Sequence, residues 1–131
     1  MPLEADIAAM AKDKNFAAMT VLLSDGTPMT HVMWVHADDE HLLINTEVDR
    51  AKFKALQRDP RVTVTVIDRN NPYHYAEVRG RVADSVTGPE ARADIDMLSQ
   101  KYNGNDYPES AIGTERVIVK IAPDRQRIFG A

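Results

Sequence analysis

The sequence predicts a mainly β (α+β) domain, one antiparallel sheet rolled into a barrel with helices on its flanks. Three features carry that expectation. Short apolar, β-branched runs follow one another across turns of a few residues, so consecutive strands pair antiparallel. Apolar residues at helical spacing mark three helices, over 3–13, 48–58 and 87–102. No strand leads into G-x-G-x-x-G and a helix, which argues against a dinucleotide-binding parallel sheet. A length of 131 residues fits a single domain, 1–131, and 44% hydrophobic residues can form a core without staples.

The first helix places Leu3, Ile7 and Met10 on one side. Strands follow over 17–24, 29–37 and 41–46, the first two separated by "SDGTP", a turn with Asp-Gly chemistry. For the second helix, Thr46 with Asp49 resembles a capping box, or Asp49 is itself the cap. Asp59-Pro60 ends it, because a residue before proline avoids the α region. "RVTVTVID" (61–68) alternates with period two and is the clearest strand. "RNNP" turns the chain into a long strand, 73–84, where Gly80 marks a bulge or bend. The third helix has Thr87 near its start and Pro89 in its first turn. Ala91, Ile95, Leu98 and Tyr102 follow at helical spacing. After a loop over 103–113, two strands, 115–123 and 125–130, close the chain.

Composition removes several functions. Without cysteine there is no disulfide, zinc-thiolate site or cysteine nucleophile. The N-terminus carries acids early and no long apolar run, so neither a signal peptide nor a membrane span is expected. A cytoplasmic location is compatible with this. The net charge of -4 argues against a general nucleic-acid binder. His31 and His36 differ by an odd number of residues and so fall on opposite faces of a strand. With no H-E-x-x-H spacing either, no metal site is expected.

One stretch departs from the acidic background: "NTEVDRAKFKALQRDPR", residues 45–61, holds Arg50, Lys52, Lys54, Arg58 and Arg61. On a wheel of about 100° per residue, Val48, Ala51, Ala55 and Leu56 share one apolar arc. Arg50, Lys54 and Gln57 lie opposite, whereas Lys52 falls inside the arc. An inward ammonium needs a partner. Either Lys52 runs along apolar surface or pairs with a carboxylate, or Lys52 and Arg50 hold a ligand's phosphate or carboxylate. Glu47 and Asp49 count against the second reading unless they point away. Trp34 reads as a core aromatic or as a flat wall for a ring. Tyr73 and Tyr75 share a strand face and either pack inside or cover a ligand.

These segments together resemble the pyridoxamine-5'-phosphate-oxidase-like split β-barrels, and most of all the branch that uses the deazaflavin coenzyme F420. The resemblance is carried by a strand ending in threonine, then "RAK", "LQRDPRVTV" and "PYHYAEVRGRV", and it runs from about residue 14 onward. It implies a six-stranded antiparallel split barrel with flanking helices, a homodimer, and a cofactor groove at the dimer interface. The Arg50-Ala51-Lys52 segment would bind the cofactor's phosphate or acidic tail. Thr46, with Met33 and Trp34, would lie near its rings. Tyr73, His74 and Tyr75 would reach it from one of the two subunits. The activity implied is F420-dependent hydride transfer with a small unsaturated organic substrate. FMN is the alternative cofactor, and a non-catalytic cofactor carrier the alternative role. "MTHVMWVHA" lacks the arginine of true pyridoxamine phosphate oxidases, which disfavours pyridoxamine phosphate as substrate.

Overall fold

The computed structural model describes residues 1–130. Within them seven strands, not six, form one antiparallel sheet: β1 (Phe16–Leu22), β2 (Pro28–Trp34), β3 (His36–Ala37), β4 (Leu42–Glu47), β5 (Arg61–Ile67), β6 (Tyr75–Val86) and β7 (Arg116–Phe129). Their order is β2-β1-β5-β6-β7-β4-β3. Three helices flank the sheet: α1 (Ala5–Lys12), α2 (Ala51–Arg58) and α3 (Pro89–Asn103). The edge strands β2 and β3 are consecutive in the chain, with only Val35 between them. That link requires the sheet to curl until its two edges approach, which gives the split barrel.

The expected strand over 29–37 breaks at Val35 for a local reason. The Val35 N–H donates to Tyr102 Oη (3.2 Å), and its carbonyl accepts from Lys101 Nζ (2.6 Å). Backbone groups claimed by α3 cannot join a ladder, so one strand becomes two. The closing pair, 115–123 and 125–130, is instead one continuous strand, β7. There Arg79 pairs with Arg125 and Gly80 with Pro123, so Asp124 is bulged out. The bulge accommodates Pro123, which has no N–H for the ladder. A Cβ on Gly80 would collide with the Ala122 carbonyl, so the bend read at Gly80 is real and needs glycine.

Alternate residues fill the barrel: Ala17, Met19 and Val21 from β1, and Val62, Val64 and Val66 from β5. Leu42 and Ile44 of β4 meet Val117, Val119 and Ile121 of β7, while α1 closes one side with Ile7 and Ala11. The four apolar positions read on α3 are all buried. Ile95, Leu98 and Tyr102, however, form a second, smaller core outside the barrel, with Trp34 and Tyr107 packed against it.

Two boundary differences bear on the site. The second helix starts at Ala51 rather than 48, because the β4 ladder runs on. Glu47 pairs with Arg116, and the Val48 N–H donates to the Glu115 carbonyl (3.0 Å). Neither expected cap forms: Thr46 stays in β4, and the Asp49 carboxylate accepts the Thr114 hydroxyl (3.0 Å). Strand β6 starts at Tyr75, so Tyr73 and His74 belong to a turn and Tyr73 does not share a strand face with Tyr75. The His74 N–H donates to the Asn71 carbonyl (2.9 Å), and the Asp68 N–H to the His74 carbonyl (3.0 Å).

Candidate functional site

A cleft of about 280 Å³ opens between the small outer core and the end of the barrel. Met33 and Trp34 enter it from the end of β2, Asn45 and Thr46 from β4, and Arg116 from the start of β7. Arg50 and Lys52 come from the beginning of α2, Ile95 and Leu98 from α3, and Tyr107 from the segment after α3. Antiparallel pairing explains why β4 and β7 meet here: Asn45 to Glu47 run beside Ile118 to Arg116.

The apolar side of the cleft is aromatic. Trp34 stacks on Tyr102 with 5.1 Å between ring centroids and 4° between planes. Tyr107 meets Trp34 edge-on at 6.2 Å and 88°. Both readings of Trp34 therefore hold in part, since it packs on the outer core and also walls the cleft. Tyr102 is fixed from the other side, where its hydroxyl donates to the Asn15 carbonyl. Burial holds that phenol above its ordinary pKa.

The polar side is cationic. Arg116 is only 8% exposed. Its Nε donates to Asn45 Oδ1 (2.9 Å), its Nη1 to Glu47 Oε2 (3.3 Å), and its guanidinium lies 5.2 Å from the Tyr107 ring centroid. Arg50 shares the same Glu47 oxygen (3.4 Å). The other oxygen of Glu47, Oε1, is taken up by the loop before β7, accepting from the Gly113 N–H (2.9 Å) and the Thr114 N–H (2.6 Å). Glu47 is thus spent on Arg50, Arg116 and the backbone and Asp49 on Thr114, so neither acid beside the basic stretch pairs with Lys52. Burial opposes ionisation of Glu47, but those hydrogen bonds and Arg116 outweigh it and hold the carboxyl below its ordinary pKa.

Lys52 is half-buried and has no ion-pair partner among the described residues. Burial, then repulsion from Arg50 and Arg116, pulls its pKa below the ordinary lysine value. The carboxylate-pairing reading of Lys52 therefore fails. Three cations line the cleft: Arg50 and Arg116 share Glu47 Oε2, whose companion Oε1 is committed to backbone N–H groups, and Lys52 has no carboxylate. Such an arrangement suits an anion.

Of the residues singled out in the sequence, Met33, Trp34, Thr46, Arg50 and Lys52 come together in this cleft. Ala51 opens α2 but is exposed and lines nothing; Phe53, which the wheel left outside the apolar arc, is buried instead. Tyr73 is 82% exposed, His74 pairs with Asp68 (2.9 Å), and Tyr75 stacks on Phe129 (4.8 Å). Trp34, Phe16, Ile67 and Tyr75 lie in one cross-strand row. Three strand spacings, about 14 Å, thus separate Tyr75 from Trp34. Within one chain the three residues 73–75 do not join the site.

Asn45, Arg116 and Tyr107 also line the cleft, and no motif in the sequence marks them. Arg116 left one signal: a charged residue opening a run of buried strand positions requires a partner. Its partner, Glu47, is its cross-strand neighbour. Tyr107 sits in an irregular segment and left none.

Fold and cleft together define a split-barrel protein with a cationic, aromatic-walled cleft at the barrel's outer edge. The chain belongs to the pyridoxamine 5'-phosphate oxidase family, whose model matches residues 3–129. It is similar to a solved structure described as an F420 reductase. The two are 30% identical over 95% of this chain and 98% of that one, with a TM-score of 0.83. It also shares the fold of a conserved hypothetical protein from Mycobacterium tuberculosis: 24% identity, 97% and 84% coverage, TM-score 0.76. General Stress Protein 26 from Bacillus anthracis has the fold too, with 16% identity, 94% and 90% coverage and a TM-score of 0.70. No match is found among curated proteins.

Proposed function

We propose that this chain is an F420-dependent oxidoreductase that works in the cytoplasm as a homodimer. The observation that carries the reading is Lys52, a half-buried ammonium without a carboxylate, beside Arg50 and Arg116 in an aromatic-walled cleft. The similarity to an F420 reductase at 30% identity supports it. The donor set fits the group. Arg50, Lys52 and Arg116 would receive the cofactor's phosphate or acidic tail. Met33, Trp34 and Thr46 would lie along its rings. When bound, reduced F420 supplies a hydride for an electrophilic double bond or carbonyl of an unsaturated substrate. The chain's own part is to orient the rings on Trp34, neutralise the tail and keep water from the apolar side.

Two features favour a dimer. The outer face of the sheet leaves Val32 69% and Phe16 44% exposed. Tyr73, His74 and Tyr75 lie too far from their own cleft, so they serve a site only across a subunit interface. No helix among the described residues is long and apolar enough to cross a membrane.

FMN is the second reading, because its phosphate suits the same three cations. Titration of the purified protein with F420, followed by cofactor fluorescence, separates the two. Binding at micromolar F420 is expected, and its absence sinks the proposal. Protein that is yellow on purification, with flavin absorbance, points to FMN. Tight F420 binding without reduction of any quinone, enone or tetrapyrrole points to a cofactor carrier.

A further inference from the structure

We infer that Tyr107 is the wall that holds a ligand's ring system in this cleft, and that Arg92 and Asp96 are positioning residues that keep it there. The inference rests on the reading above, that the cleft takes a planar cofactor with an anionic tail.

Tyr107 lies between α3 and β7, outside the long helices and strands. Its backbone is nevertheless held at both polar groups. The Tyr107 N–H donates to Asp96 Oδ1 (3.0 Å), and its carbonyl accepts from Arg92 Nη2 (3.0 Å). Arg92 and Asp96 are one helical turn apart on α3 and are themselves paired at 3.4 Å. Together they form a clip on the helix that grips the passing chain.

The clip does little for the barrel core, because Tyr107 packs on the small outer cluster. Nor is it optimised for stability alone: Arg92 Nη1 is buried without a hydrogen-bond partner among the described residues. What the clip does determine is where the Tyr107 side chain stands. It meets Trp34 at a right angle and covers the Arg116 guanidinium. Trp34 and Tyr107 thus make two perpendicular walls, a shape that admits a flat ring system and places its edge or face against each. Ring contacts and charge contacts then come from different residues: Tyr107 acts on the rings and Lys52 on the tail.

That division is testable with ligand pairs that differ only in the tail: F420 against its phosphate-free deazaflavin nucleoside, and FMN against riboflavin. Dissociation constants are measured for the wild type and for Tyr107→Ala, Asp96→Ala and Lys52→Ala. Tyr107→Ala is expected to weaken both members of the pair that the wild type binds by a common factor, about tenfold. Lys52→Ala should weaken only the tail-bearing member. Tyr107→Phe should recover the lost affinity, since the ring makes the wall. Asp96→Asn, which keeps an acceptor for the Tyr107 N–H, should recover what Asp96→Ala loses. The inference is overturned if Tyr107→Ala changes neither member, or only the tail-bearing one, which would mean that it acts through Arg116. A wild type that binds neither pair overturns the cofactor reading itself, a different failure. Tyr107 packs outside the barrel core, so these variants leave that core intact.

Discussion

Two groups of three basic residues can be compared directly. On the outer face of β5 and β6, Arg61, Arg79 and Arg81 each meet a carboxylate: Asp59 at 2.7 Å, Glu77 at 3.0 Å, and Asp124. All three are more than half exposed. In the cleft, Arg50 and Arg116 share a single carboxylate, Glu47, and Lys52 has none. The count of cations is equal, yet only one group forms a site. Exposed pairs are screened and nearly neutral in energy, and Arg50, 54% exposed, is as solvated as the outer arginines; Arg116, 8% exposed, and the half-buried Lys52 are the cations that keep a demand for an anion. The stretch 45–61 contains both kinds. Arg61 belongs to the neutralised face and Lys52 to the cleft.

The largest expected effect comes from breaking the anchor of the cationic group. Glu47 is 3% exposed and holds Gly113, Thr114, Arg116 and Arg50. Glu47→Ala leaves Arg116 buried without its counter-ion, so a loss of about 3–5 kcal/mol in unfolding free energy is expected from denaturant melts. The acid limb of stability should carry the same signature. Burial raises the Glu47 pKa, but its hydrogen bonds lower it further, so the folded value lies below the ordinary 4.5. A carboxyl depressed in this way contributes stability that is complete above 4.5 and is lost as pH falls through the folded value. Glu47→Gln should flatten the wild-type decline in that acid window. An unchanged pH profile would show that Glu47 is not the group that titrates.

Next in size is the contrast between two lysines, Lys52 and Lys54, that flank Phe53. Lys52→Ala should weaken cofactor binding by about 2–5 kcal/mol, the range for losing a desolvated charge partner. Lys54, which is exposed, should cost under about 1 kcal/mol. Equal losses in parallel titrations would reduce the cleft to a diffuse positive field and erase its difference from the outer face.

What could be read from the sequence follows how local each cause is. Lys52 was legible because the spacing of 3.6 residues places it inward with either neighbour set, Ala51 or Phe53, on the apolar side. The four buried positions of α3 were legible for the same reason. The start of α2 was not, since the β4 ladder with β7 carries the strand past the place where local capping chemistry would begin a helix. Tyr73 and His74 looked like strand because aromatic alternation extended backwards from Tyr75. The turn hydrogen bonds from Asp68 and Asn71 override that pattern. Arg116 depends on pairing with a residue far earlier in the chain, and Tyr107 on a clip from another element. No window of sequence contains either relation.

The smallest expected effect belongs to the outer face, and it tests the comparison from its other side. Arg79 is 56% exposed beside Glu77, itself 29% exposed. Its neighbours across the strands are Thr63 and Arg125, so removing it also relieves a like-charge contact. The two changes oppose one another. Arg79→Ala should therefore move unfolding free energy by under about 1 kcal/mol and leave F420 affinity unchanged, with or without added salt. A marked loss of affinity would mean that the paired arginines also attract the ligand. Charge density would then matter more than burial, contrary to what the cleft implies.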